Sequence, residues 1–112
     1  MDKITFYQEK IVGLLKEYTS RYAKFPELKD QLICDYESNN FQLLTVGWDV
    51  VGYHYIVNFH FHITEQGKVW LLVNNTDIRI AEELVIHGVP RTDIVLGFKS
   101  PDLRPFTNFA AA

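Results

Sequence analysis

The chain is poor in the residues that build covalent or metal-bound scaffolds. Cys34 is its only cysteine, so no intrachain disulfide can form and a four-cysteine zinc site is excluded. No apolar run approaches the roughly 20 residues of a membrane-spanning helix. The first residues alternate charge with apolar side chains, unlike a signal peptide; the cytoplasm is the simplest compartment these absences allow. There are no repeats, no G-x-S-x-G, no cysteine with a nearby histidine and no glycine-rich phosphate loop, so the case for an enzyme is poor.

Positive charge is also scarce. Eleven Lys and Arg face 14 Asp and Glu, a formal charge of -3. Five of those cations fall in residues 1–25, whereas residues 26–67 hold Lys29 alone against six acids. Phosphate affinity comes mainly from neutralising cations, so any DNA contact must use the N-terminal segment. What is present is ordinary for a globular protein: 47% hydrophobic and 22% charged residues in 112, enough for one domain spanning 1–112.

Ile4, Tyr7, Ile11, Leu14, Leu15, Tyr18 and Tyr22 step by three and four, the period of an amphipathic helix. Asp2 suits its N-cap and Pro26 its end. Alternation then replaces that period. Strands are expected at 30–37, 41–50, 53–64 and 68–73, joined by short turns as an antiparallel meander. Asn74 to Asp77 supply turn and N-cap chemistry for a second helix with Ile80, Ala81, Leu84 and Val85 inward, Gly88 at its C-cap and Pro90 beyond. Residues 90–96 read as one more short turn of helix. The fold class is α+β: an N-terminal helix, a four-stranded antiparallel meander sheet, a C-terminal helix and an irregular tail.

Three clusters are candidates for chemistry. His54, His60 and His62 alternate on one face of the third strand, and residues two apart sit about 6.6 Å from each other, so His60 and His62 could share a metal, with Asp35 or His54 as the third ligand of a catalytic zinc site. A solvated sheet face explains the same alternation. On the first helix, at about 100° per residue, Lys3, Lys10 and Arg21 fall within about 20° of each other and Lys24 within about 60°. That basic stripe is a candidate DNA contact, although lysines beside an apolar stripe also snorkel over it. Glu82 and Glu83 point about 100° apart and read as a solvated helix face. Trp48 and Trp70 read as packing residues.

The last stretch, residues 93–112, has no period, two prolines and three phenylalanines, Phe98, Phe106 and Phe109. An apolar segment without a period is meant to be covered, by its own sheet or by another chain. Pro101 and Pro105 favour an extended wrap over strand pairing, and Arg104 between apolar neighbours calls for a carboxylate partner. Lys99 and Arg104, with the three phenylalanines, are the candidate partner-binding residues.

The order Glu82-Glu83-Leu84, Gly88-Val89-Pro90, Asp93 to Phe98, Pro101, Arg104, Thr107-x-Phe109-Ala110 closely resembles the C-terminal pattern of the XisI-like family. Val46-Gly47-Trp48 and Gly67-Lys68-Val69-Trp70 match as well. Lys99 departs from the pattern, which favours a histidine there. The resemblance implies a cyanobacterial excision-controlling factor, non-enzymatic and without cofactor, acting with an XisH-like partner so that a site-specific recombinase can excise a DNA element. A homodimer built through the tail is the expected assembly.

Overall fold

The computed structural model describes residues 2–21 and 27–112, and the side chains of all of these except Ser20 and Arg21. Helix α1 runs Lys3–Arg21. Asp2 caps it as expected, its Oδ1 accepting the Thr5 amide at 2.8 Å, and Pro26 lies outside the described residues. Strands β1 (Leu28–Asp35), β2 (Asn40–Trp48), β3 (Tyr53–Ile63) and β4 (Val69–Asn74) form the antiparallel meander. Helix α2 (Ile80–Ile86) then leads through a 3-10 turn (Arg91–Asp93) into β5 (Ile94–Leu96).

That fifth strand corrects the four-stranded expectation. Residues 90–96 give a 3-10 turn and then a strand that pairs parallel to β4, so the sheet is mixed, in the order β1-β2-β3-β4-β5. A parallel neighbour needs a crossover, and α2 supplies it. Gly88 takes φ +103° past the end of α2, as its C-terminal position requires. At the other end Arg79, not the Asn74 to Asp77 segment, holds the N-cap position, without a side-chain cap.

One face of the sheet is the core. Tyr7, Ile11, Leu14, Leu15 and Tyr18 of α1 and Ile80 and Leu84 of α2 bury against Phe41, Leu43, Phe59, Phe61, Ile63, Val69, Leu71 and Ile94. Each fully buried aliphatic or aromatic side chain contributes about 1.5–3 kcal/mol. Two irregularities break the alternation. Leu43 and Leu44 oppose Phe59 and Val57, so Asn58 is the extra residue of β3. His60 and Phe61 oppose Val73 and Leu71, so Leu72 is the extra residue of β4. Such a bulge moves every residue beyond it to the other face. Phe59 and Phe61 therefore face the core, whereas Tyr53, Tyr55 and Val57 turn with Trp48 and Leu44 to the outer face.

Gly97 marks where β5 must pass close to β4. Its amide donates to Leu71 O at 2.9 Å, and a Cβ there would meet Leu72 Cδ2 and Trp70 Cε3 at 3.0 Å. Gly97→Ala is expected to lower stability by about 1–2 kcal/mol through overpacking, measured as a lower urea midpoint with an unchanged slope.

Candidate partner-docking surface

The tail after β5 is clamped by its backbone and by one arginine. The Arg104 guanidinium stacks 4.8 Å over the Trp70 ring, and its Nε and Nη2 donate to Lys99 O at 3.1 Å and Gly97 O at 3.4 Å. Its partners are thus an aromatic face and backbone carbonyls rather than the expected carboxylate. Stacking suits a weakly hydrated planar cation, and Trp70 lies on the outer face, so the tail does cross the sheet there. Val95, opposite Trp70 in the ladder, is fully buried outside the main core cluster. Thr107 Oγ1 donates to Arg104 O at 2.8 Å. The Ala110 amide donates to Ile94 O at 2.8 Å and forms one parallel bridge beside Val95. The segment is therefore not a simple extended wrap. It turns through a 3-10 turn at Arg104–Phe106 and returns to the ladder only beyond both prolines.

This clamp sorts the phenylalanines. Phe109 packs against the core, with Arg91 5.3 Å over its ring. Arg91 is in turn held by Glu82 through a bidentate pair at 2.8 and 2.6 Å, so Glu82 anchors the tail instead of idling on a wet face. Phe98 and Phe106 stay uncovered within the chain, 47% and 86% exposed, with Leu103 beside them in sequence at 54%. Lys99 Nζ sits 5.6 Å from the Phe98 ring. A rigid backbone thus presents two aromatic rings, one leucine and one cation.

Sequence reasoning missed a second apolar group. Val50 and Val51, at the tip of the β2–β3 hairpin, are exposed, as are Trp48, Tyr53 and Tyr55. Trp48 and Tyr53 pair with ring centroids 5.2 Å apart, so Trp48 does not pack inside the molecule as expected. Two valines in a turn were the available signal. His54 Nε2 lies 2.8 Å from Asp49 Oδ2 across the base of the same hairpin. Contact with His54, then the Val51 amide, holds the Asp49 carboxyl below the usual carboxylate range.

The histidine cluster does not assemble. The bulge at Asn58 turns His54 to the opposite face from His60 and His62. His60 Nε2 meets Asn40 Oδ1 at 2.9 Å, and His62 Nδ1 meets Asn39 O at 3.0 Å. Burial, and then the charge of His62, lowers the His60 pKa. Asp35 binds the Glu37 and Ser38 amides of its own turn. Among the described residues no group of three His, Cys, Asp or Glu converges as metal ligands.

The two described side chains of the basic stripe, Lys3 and Lys10, have partners within the chain. Lys3 Nζ lies 3.0 Å from Asp93 Oδ2 and 5.9 Å from the Tyr7 ring. Lys10 Nζ lies 5.1 Å over the Phe6 ring, the snorkelling arrangement. The Arg21 side chain and Lys24 are outside the described residues. Among the described residues no helix is long and apolar enough to cross a membrane.

A family model described as XisI protein matches residues 1–111. A XisI-like protein of Anabaena variabilis ATCC 29413 has a crystal structure that superposes with a TM-score of 0.90 at 42% identity, covering 97% of this chain and 99% of that one. The fdxN element excision controlling factor XisI from the same organism superposes with a TM-score of 0.85 at 33% identity, over 99% of this chain and 100% of the other. Functionally curated proteins return no match. With the fold, the pattern of the tail and both likenesses extending nearly end to end, this chain belongs to the XisI family.

Proposed function

We propose that this protein is a regulatory factor in the excision of a DNA element, and that it works by docking a second protein on its clamped tail rather than by catalysis. One observation carries the reading: Arg104, Thr107 and Ala110 fix the tail in place, yet Phe98, Leu103 and Phe106 remain uncovered. Ordering a segment costs conformational entropy, and exposed aromatics on an already ordered backbone bind without meeting that cost again. Aromatic anchors of this kind dominate protein interfaces. The relative at 33% identity is an excision controlling factor, which supports the regulatory role. The partner of choice is an XisH-like protein, with the recombinase affected indirectly.

Titration calorimetry with a purified XisH-like protein tests this. The wild-type chain is expected to bind at micromolar concentration or tighter. Phe106→Ala is expected to weaken binding about tenfold or more, while leaving stability within about 0.5 kcal/mol because the ring is exposed. Absence of binding by the wild-type chain, or full affinity in Phe98→Ala/Phe106→Ala, overturns the reading.

A further inference from the structure

The sheet ends on β1. Among the described residues β1 pairs only with β2, so its other edge offers unpaired backbone donors and acceptors. Natural sheets blunt such edges with proline, bulges or charged side chains, and of these β1 carries the charges Lys29, Asp30 and Asp35. Strand β1 has no proline, and its pairing with β2 is unbroken over eight residues. Its burial alternates strictly between half-buried and exposed, with no position fully buried. Leu32 and Cys34 touch the core cluster yet stay half-buried. Among the described residues the core reaches no further than this strand.

We propose that this edge pairs with the β1 edge of a second copy of the chain, antiparallel, about a twofold axis at Leu32. The charges on the strand choose that register. Antiparallel self-pairing about Leu32 sets Lys29 opposite Asp35 of the partner copy, and Asp35 opposite the partner's Lys29. All four side chains stand on the outer face. Gln31 then faces Ile33 of the partner copy at the centre, so the two exposed isoleucines are flanked by two ion pairs. That is an apolar centre with a charged rim. On the core face Leu32 meets its own copy and Leu28 comes opposite Tyr36 of the other chain. Asp30, opposite the partner's Cys34, already accepts the Thr45 hydroxyl at 2.7 Å. Moving the axis to Gln31 or Ile33 leaves Lys29 without Asp35, and moving it to Asp30 sets two aspartates face to face. Opposite charges directly across a ladder stabilise it and like charges oppose it. The two five-stranded sheets would join into one of ten strands, leaving both clamped tails at its far ends for the partner protein. The surface is separate from the tail, so its test does not depend on that partner.

Sedimentation of the full chain is the test. The wild-type protein is expected to dimerise at micromolar concentration, and its β1 amides to exchange more slowly as concentration rises. Lys29→Asp sets like charges together twice and is expected to weaken the dimer about tenfold or more. Asp35→Asn keeps the oxygen that binds the turn amides, so it tests the charge and not the fold. In the Lys29→Asp background it is expected to strengthen the dimer again, although alone it weakens it. A monomer at 100 times the expected constant, additive effects of the two changes, or concentration-independent exchange in β1 overturns the proposal. So does a dimer that Phe98→Ala/Phe106→Ala abolishes and Lys29→Asp leaves intact, because self-association then belongs to the tail.

Discussion

Deleting residues 97–112 is expected to destabilise the remaining fold by on the order of 3–5 kcal/mol, a large share of the roughly 5–15 kcal/mol of a domain. Three losses add up. Val95 returns to water and the core loses the packing of Phe109, and full burial of such side chains is worth about 1.5–3 kcal/mol each. The Trp70 ring loses the stacked Arg104 guanidinium, an interaction of about 0.5–2 kcal/mol. The Ile94 and Leu71 carbonyls lose the Ala110 and Gly97 amides, at a net of about 0.5–1.5 kcal/mol per bond. Urea unfolding of the truncated chain measures the sum, and Arg104→Ala is expected to show about 1–2 kcal/mol of it. A truncated chain within about 1 kcal/mol of the wild type, with rapid amide exchange at residues 97–110 in the intact protein, would refute the clamp.

The same contacts explain what could be read from the sequence and what could not. Helix α1 was legible because its apolar face repeats over five turns, and the core residues Tyr7, Ile11, Leu15 and Tyr18 followed from spacing alone. The four antiparallel strands were legible to within two residues at every end. Which way β3 faces was not, because Asn58 inserts one residue with neither glycine nor proline to announce it. One unannounced residue moved His54 away from His60 and put Tyr53 and Tyr55 on the outer face. Strand β5 spans three residues, too few to show a period, and its parallel register exists only once α2 has folded back. In the tail the apolar content was visible, but nothing local separates Phe109, which is packed, from Phe106, which is not. Trp70 decides that by offering Arg104 a surface, from 34 positions away in the chain. Asp93 was visible only as part of a family pattern, and its partners come from two distant segments, α1 and the start of β4.

Asp93→Ala is therefore expected to cost about 2–4 kcal/mol, although Asp93 belongs to neither apolar group on the surface. Its carboxylate accepts the Tyr7 hydroxyl, meets Lys3 Nζ at 3.0 Å and lies 3.8 Å from Lys68 Nζ, so it ties α1 and the start of β4 to the turn before β5. Lys68 Nζ also donates to Thr92 O at 2.6 Å. Tyr7 is 4% exposed, so without Asp93 its hydroxyl is buried with no acceptor. The two lysines are partly solvated and contribute the smaller share. Tyr7→Phe is expected to cost about 1–2 kcal/mol alone and little in the Asp93→Ala background, because one bond cannot be lost twice. Burial pushes the Asp93 carboxyl up, but Tyr7, Lys3 and Lys68 outweigh it and hold it below the usual carboxylate range. A depressed folded value stabilises above the unfolded value of about 3.9, and that stability is lost as pH falls through the folded value. Burial and the Asp93 charge push the Tyr7 hydroxyl up. Its contribution is complete below the unfolded value of about 10 and is lost as pH rises beyond it. Urea unfolding of the wild type and Asp93→Ala across pH should thus differ by a constant amount between about pH 5 and pH 9. The gap should narrow on further acidification and on further addition of base. A gap that stays level down to about pH 2 would mean that the carboxylate charge does not hold this junction together.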